Sequence, residues 1–234
     1  MINIAIPMAG SSRFFPDSEI NFSKLFYEIN GTPMIQLVIE NLKKIEKFDS
    51  IKFTFVINEV DDRKYNLNNV LKMLTNNNCD VVIQSNQAMG AVCSLLLAIE
   101  YLNNSMPLII SNVDQVIDYD FSQVLKSFKL EAAEGGLVCF DSIHPQWSFA
   151  KIIKKNIVIE TAEKTPISQN AIAGFYYYQK SRDFINSSMK LIEKNRTHND
   201  KYYVSSTFNE LILDSKNIRS YTIPASTYHS FYSP

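Results

Sequence analysis

The chain reads as an α/β protein built on a mainly parallel, doubly wound sheet with helices on both faces. Three observations predict this. Apolar runs of strand length recur at Ile2–Pro7, Phe53–Asn58, Asp80–Gln84, Pro107–Ser111, Leu137–Asp141 and Ala171–Tyr178. Most of them are continuous rather than alternating, which suits strands buried on both faces. Helical periods lie between them, and the order is strand–helix–strand–helix to about Phe140, then mostly strands, a helix and a strand. The second half is therefore expected to add antiparallel structure and to close one side of a cleft.

The first run, Ile2–Pro7, leads into Gly10-Ser11-Ser12-Arg13, and Lys24 follows eleven residues after Arg13. A strand that delivers the backbone into a small-residue turn offers N–H groups to phosphate oxygens, and nearby cations neutralise the charge. The spacing leaves room for a loop, Phe14–Phe22, to fold over a triphosphate between the two basic residues. Asn30-Gly31 is a turn signal. Ile35, Val38, Ile39, Leu42 and Ile45 recur at i, i+3, i+4, i+7 and predict a helix, as do Val92, Leu95, Leu96 and Ile99. A further helix is expected from Ser181, with Phe184, Ile185, Met189 and Ile192 on one face. Gly135-Gly136 reads as another turn. Gly10, Gly90 and Gly174 fall instead at strand or helix edges, where ligand crowding, a cap or a bulge can each exclude a side chain.

Asn112-Val113-Asp114-Gln115 comes directly after the strand Pro107–Ser111. A carboxylate at the carboxyl end of a buried strand lies where open α/β sheets bind ligands. A hard cation such as Mg²⁺ takes one or two carboxylates together with phosphate oxygens, although a turn or helix cap accounts for Asp114 equally well. Asp118 and Asp120 belong to the turn and cap of the next helix. Glu163-Lys164, ahead of the strand holding Gly174, offers an acid for a polyol and a cation for a phosphate, or is a solvated surface pair. Trp147 either stacks on a ligand or anchors the core.

Composition excludes several classes. With 234 residues, 46% apolar and 12% aromatic, the chain has material for a sizeable core in one domain. Its formal charge of −1 comes from 23 basic and 24 acidic residues with no basic block, which argues against nucleic acid as the partner. The three cysteines are widely spaced and form no zinc-like pair, so they read as buried thiols of a reducing cytosol. No basic n-region precedes the first strand, and no apolar stretch approaches the ~20 residues needed to span a bilayer, so a cytoplasmic protein without membrane contact is expected. The three histidines have no Ser or Cys partner at a hydrolase spacing. Twelve tyrosines and fifteen phenylalanines leave scope for an aromatic homodimer surface.

Taken together, several segments resemble the nucleotidyltransferase family that makes nucleotide-activated sugars. They are Ile4-Ala5-Ile6-Pro7-Met8-Ala9-Gly10-Ser11-Ser12-Arg13-Phe14, Ser23-Lys24-Leu25, Gly31-Thr32-Pro33-Met34-Ile35, Asn112-Val113-Asp114-Gln115, Trp147-Ser148-Phe149-Ala150-Lys151, Glu163-Lys164 and Gly174-Phe175-Tyr176. They keep the family's order over most of the chain, and the likeness is greatest to short, single-domain members of capsule and surface-polysaccharide synthesis.

The resemblance implies a Rossmann-like, GT-A-like architecture in one domain, with residues 1–140 holding nucleotide and 141–234 holding acceptor. It implies that Met8, Ala9, Gly10, Ser11 and Ser12 bind the nucleotide, with Gly10 through Arg13 holding the triphosphate and Arg13 on the departing pyrophosphate. Lys24 would contact the α-phosphate and the acceptor phosphate, and Gln84, Gly90 and Ala91 would define the base pocket. Asp114 would ligate Mg²⁺, for which Mn²⁺ could substitute. Trp147, Lys151, Glu163, Lys164 and Gly174 would face the acceptor.

The partners implied are a nucleoside triphosphate, CTP being favoured, and a small phosphorylated acceptor such as L-glutamine phosphate. Other readings stay open: a sugar 1-phosphate cytidylyl-, guanylyl- or thymidylyltransferase, a nucleotide-sugar-dependent glycosyltransferase, and a catalytically silent nucleotide-binding homologue. The chain also departs from the family pattern. Ser11-Ser12 fills a shorter loop with no second glycine, and Lys24 stands between Ser23 and Leu25 rather than between prolines. His229-Ser230-Phe231-Tyr232-Ser233-Pro234 occupies the region where the family often places a second metal-binding acid. The metal site then rests on Asp114 with substrate and water, or on an acid beyond Pro234.

Overall fold

The structure, a computed structural model, describes residues 1–10 and 23–231. The chain begins with β1 (Ile2–Pro7) and, after a 3-10 turn at Lys24–Phe26, forms a small hairpin of β2 (Glu28–Ile29) and β3 (Thr32–Pro33) closed by the Asn30-Gly31 turn. It continues through α1 (Met34–Lys43), β4 (Ile51–Asn58), α2 (Glu59–Tyr65), α3 (Leu67–Leu74) and β5 (Cys79–Gln84). Next come α4 (Ala91–Leu96), α5 (Ile99–Leu102), β6 (Leu108–Ser111), β7 (Gln115–Ile117) and α6 (Phe121–Leu130). The second half comprises β8 (Gly135–Asp141), β9 (Ser148–Ile153), β10 (Ile157–Glu163), β11 (Asn170–Tyr178), α7 (Ser181–Glu193), α8 (Val204–Leu213), β12 (Ile218–Thr222) and β13 (Tyr228–Ser230).

The main sheet has nine strands in the order β5-β4-β1-β6-β11-β8-β12-β10-β9. Its first four strands are parallel, as continuous apolar runs joined by helices require. Beyond them β11 enters antiparallel to both β6 and β8, β12 is parallel to β8, and β10 and β9 are antiparallel. The sheet is mixed α/β with helices on both faces, as expected. All six strands read from the sequence form, with limits moved by two residues at most.

Strand residues alternate between the two faces, and so there are two cores. Ile4 and Ile6 of β1 join Phe53, Phe55, Phe121 and Phe128 on the face covered by α1, α3 and α6. Ala5 joins Val56, Leu95, Leu108, Phe184 and Phe208 on the face covered by α4, α5, α7 and α8.

Local expectations fare unevenly. Asp120 does cap α6, accepting from the Ser122 N–H at 2.9 Å. Gly135-Gly136 is not a turn but the buried start of β8, because a Cβ on Gly136 would lie 2.6 Å from the Phe128 ring. The missing side chain of Gly136 lets α6 lie close on the sheet, and that of Gly135 does the same for α8 on the other face. Met189 leaves the buried face of α7 and is 52% exposed, while the small side chains of Ser187 and Ser188 take the buried positions. The helix expected around Val92–Ile99 forms in two pieces, α4 and α5.

Candidate functional site

A cleft of about 410 Å³ opens along the carboxyl ends of β1, β5 and β6, where a parallel sheet presents its loops. Its floor on this side is Pro7 to Gly10 after β1, Gln84 at the end of β5, and Asn112 to Asp114 after β6. The opposite wall comes from the antiparallel half: Trp147 and Ser148 at the start of β9, Glu163 and Lys164 at the end of β10, and Tyr203 and Val204 at the head of α8. Tyr228 and Ser230 of β13 close one end.

An ion pair lines the cleft on the side of β1 and β6. Lys24 Nζ lies 2.7 Å from Asp114 Oδ2, with side chains only 11% and 18% exposed. These residues are ninety positions apart in the chain and were singled out independently in the sequence. The backbone around Asp114 is pinned on two sides. The Asn112 N–H and the Gln115 Nε2 both donate to the Gly174 carbonyl, at 3.2 and 2.9 Å. The Phe231 N–H donates to the Asp114 carbonyl at 2.8 Å, and Tyr228 Oη to Gln115 Oε1 at 3.1 Å. Gly174 therefore stands behind the cleft rather than in it. Its φ of +60° marks an irregularity in β11, and a Cβ there would collide with the Gln115 and Asn112 side chains.

At the end of β5, Gln84 is buried and its Nε2 donates to the Asn86 carbonyl at 2.7 Å. Its Oε1 is a buried acceptor with no partner among the described residues, an arrangement that costs stability unless a ligand supplies a donor. Gly90 heads α4 with φ +98°, and a Cβ would meet the Tyr202 carbonyl oxygen at 2.5 Å. The crowding there comes from the chain itself. Met8, Ala9, Gly10 and Ala91 all line the cleft, and among the described residues no atom comes within 4 Å of a Cβ built on Gly10.

On the opposite wall, Glu163 Oε2 accepts from the hydroxyls of Ser148 and, at 2.8 Å, Ser205. Lys164 follows with a left-handed backbone, φ +52°, and its ammonium stands 5.9 Å from the centre of the Tyr203 ring. Trp147 packs in the core, half-buried and edge-on against Phe140 and Tyr228, and also reaches the cleft. Lys151, like Gly174, stays out of the cleft: it is exposed, and its ammonium sits 3.6 Å from Glu160. The hydroxyls of Tyr176 and Tyr228 are held in the neutral form, first by burial and then by the charges of Glu163 and Asp114 respectively. Ser11, Ser12, Arg13 and the loop Phe14–Phe22 lie outside the described residues.

The sequence reading passed over Lys201, Tyr203, Tyr228 and Ser205, all of which border the cleft or its acid. Only the bare run Tyr202-Tyr203-Val204 after an Asn/Asp turn could have hinted at the first two. Among the described residues no three of His, Cys, Asp and Glu gather as a metal cluster. One carboxylate, Asp114, still fits Mg²⁺, which is commonly held by one or two carboxylates plus substrate phosphates and water.

Comparison with protein-family models matches residues 5–222 to the nucleotidyl transferase family. Among solved structures, a nucleoside-diphosphate-sugar pyrophosphorylase from Vibrio cholerae RC9 superposes with a TM-score of 0.83 at 23% identity, covering 99% of this chain and 96% of the other. A protein described as a glucose-1-phosphate thymidylyltransferase from Bacillus anthracis, solved with sucrose, gives 0.75 at 15% identity over 100% and 91%. The inositol-1-phosphate CTP transferase from T. maritima gives 0.74 at 13% over 99% and 89%. At such identities these structures establish a shared fold. No curated protein matches the sequence.

Proposed function

The chain belongs to the nucleotidyl transferase family, and from that premise we propose that it transfers a nucleoside monophosphate from a nucleoside triphosphate to the phosphate of a small acceptor. Pyrophosphate is released. The observation that carries this reading is the Lys24–Asp114 pair facing the cleft at the carboxyl ends of β1 and β6. CTP is the nucleotide we favour, and L-glutamine phosphate the acceptor, in capsule or surface-polysaccharide synthesis in the cytoplasm. One domain would carry both halves of the site, nucleotide in about residues 1–140 and acceptor in 141–234.

An oxygen of the acceptor phosphate attacks the α-phosphorus in line, forming a new P–O bond as the bond to the β-phosphate oxygen breaks. The acceptor phosphate is already largely ionised at pH 7, so the step needs no general base. Rate enhancement then comes from alignment and charge neutralisation. The backbone at Met8 to Gly10 and the basic residues Arg13 and Lys24 hold the phosphates. Gln84 Oε1 accepts from an N–H of the base, which relieves its buried, unpartnered state. Glu163, set by two serine hydroxyls, and Lys164 orient the acceptor. Mg²⁺ held at Asp114 would supply further charge neutralisation on the phosphates.

The test is pyrophosphate release with Mg²⁺, crossing the four ribonucleoside triphosphates and dTTP against L-glutamine phosphate and a panel of sugar 1-phosphates. The expected result is release with one nucleotide–acceptor pair, abolished in Asp114→Asn. Nucleotide binding with silence across the whole grid would overturn the transferase reading.

A further inference from the structure

Between α7 and α8, residues 194–203 form neither helix nor strand, yet they are anchored at both ends. Lys194 Nζ and Arg196 Nη1 converge on Glu210 of α8, at 2.5 and 3.6 Å, and that carboxylate is only 1% exposed. Tyr202 Oη donates to Asn195 Oδ1 at 2.9 Å. The backbone of Tyr202 is clipped to the loop on the nucleotide side: its N–H donates to the Met89 carbonyl at 2.8 Å, and its carbonyl accepts from the Val92 N–H at 3.3 Å. Gly90 has no side chain where Tyr202 passes. Left-handed Asn199 and Asp200 turn the chain just beforehand. Tyr202 points into the core, and its neighbours Lys201 and Tyr203 line the cleft.

Tyr203 lies beneath the ammonium of Lys164, so the strap adds a second cation, Lys201, to the wall that carries Lys164. Neither lysine has an acid partner across the cleft among the described residues. The acid on that wall, Glu163, is instead held by Ser148 and Ser205. Lys24, the cation at the phosphate end, is matched by Asp114. An ammonium is three donors and no acceptor. A neutral polyol, which needs both kinds of partner, is poorly served by it. The Lys164 ammonium is engaged by the Tyr203 ring, so Lys201 offers one positive charge, which matches a carboxylate better than a second phosphate of charge about −1.5 to −2.

We propose that Lys201 is a specificity-determining residue that binds a carboxylate of the acceptor, remote from the phosphate that attacks. The proposal rests on the transferase reading above for its account of the rest of the site. It limits the acceptor to phosphorylated compounds carrying a carboxylate, the class of a phosphorylated amino acid or hydroxy acid.

The test compares L-glutamine phosphate with its α-carboxamide, which differs only in that charge, and with glucose 1-phosphate and glucose 1,6-bisphosphate. Specificity is read as kcat/KM from pyrophosphate release. The intact enzyme should favour the carboxylate over the carboxamide by at least ~10-fold, the scale of one hydrogen bond to a charged group. In Lys201→Met that ratio should fall to about one through KM. Lys201→Arg should keep most of it, and Lys201→Glu should invert it. A ratio near one in the intact enzyme, or one that Lys201→Met leaves untouched, overturns the proposal. A preference for the bisphosphate that Lys201→Met removes also overturns it, assigning the cation to a second phosphate.

If no acceptor turns over, the transferase reading falls by itself. Calorimetric binding of L-glutamine phosphate and its carboxamide then still decides the role of Lys201. The same tenfold ratio, lost in Lys201→Met, upholds it, and equal affinities refute it.

Discussion

Replacing Lys24 by Met should do two separable kinds of damage. Its ammonium lies 2.7 Å from Asp114, and both side chains are more than four-fifths buried. Exposed pairs contribute about 0–1 kcal/mol, and removing one partner of a buried pair costs about 3–5 kcal/mol. A pair between those limits should cost ~2 kcal/mol when only the lysine goes, because the Asp114 carboxylate is left shielded from water without its cation. For a chain of this size that corresponds to a drop in Tm of about 4–8 °C. Asp114→Asn removes the stranded charge, so adding it to Lys24→Met should recover most of the loss, with a coupling energy of ~2 kcal/mol in the double-mutant cycle.

Activity should behave differently. Each single variant should lose at least ~10²-fold in kcat/KM, the effect of deleting one electrostatic donor in an active site, and the double variant should recover none of it. Urea denaturation of the four proteins, with pyrophosphate release on the same samples, supplies both readouts. Additive stability losses would refute the ion pair as a structural unit. Near-normal turnover of Lys24→Met would refute its catalytic role.

Other outcomes follow from particular positions. Gly90→Ala places a Cβ 2.5 Å from the Tyr202 carbonyl on a backbone with φ +98°, so it should lose about 1–3 kcal/mol from the strained conformation. It should also raise the KM for acceptor, because the strap carrying Lys201 must move; unchanged stability by urea titration would contradict this. The hydrogen bond from Lys216 and the Asn217 N–H hold Glu134 below its ordinary pKa of 4.5, and the bond to Glu134 raises Lys216 above 10.5. The stability contributed by Glu134 is therefore present above pH 4.5 and lost as pH falls through its depressed value. That of Lys216 is present below 10.5 and lost as pH rises through its raised value. The stability gap between the intact protein and Lys216→Met should be widest between those limits and shrink on either side, and a gap independent of pH would exclude the pairing. Cys139 is fully buried, with its thiol pushed up to about 12. Mass spectrometry after iodoacetamide treatment should find it alkylated only once the protein is unfolded, and labelling of the native protein would contradict its burial.

The parallel half of the sheet was legible because β1, β4 and β6 are buried on both faces, which writes a continuous apolar run into the sequence. The residues of the central ion pair were legible too, Lys24 through its spacing from the first strand and Asp114 through its place after a buried one. Their contact was not, since it depends on β1 and β6 lying side by side. Gly135-Gly136 misled because a glycine pair serves a turn and a close helix–sheet packing equally well, and what decides between them is the way the preceding helix folds its Phe128 ring back onto Gly136. Lys201 carries no local signal: a lysine beyond an Asn/Asp turn is ordinary, and its position comes from Tyr202 docking on Met89 and from the buried Glu210. Lys151 looked like part of a motif, yet it lies in the exposed second half of β9, opposite Glu160 of β10.

The way β11 slots between β6 and β8 also bears on how the chain is made. Residues 2–111 can assemble β5, β4, β1 and β6 with only short crossings, but the free side of β6 finds its neighbour only when residues 170–178 arrive. At ribosomal rates of roughly 5–20 residues per second, a bare hydrogen-bonding edge persists for several seconds, and such edges invite pairing with other chains. The final piece is later still, since β13 must dock on β7 to place Tyr228 and Ser230 beside Asp114. A nascent chain can thus hold a nearly finished sheet while its cleft is still open at one end, and the demand on chaperones should fall on the interval before β11 emerges.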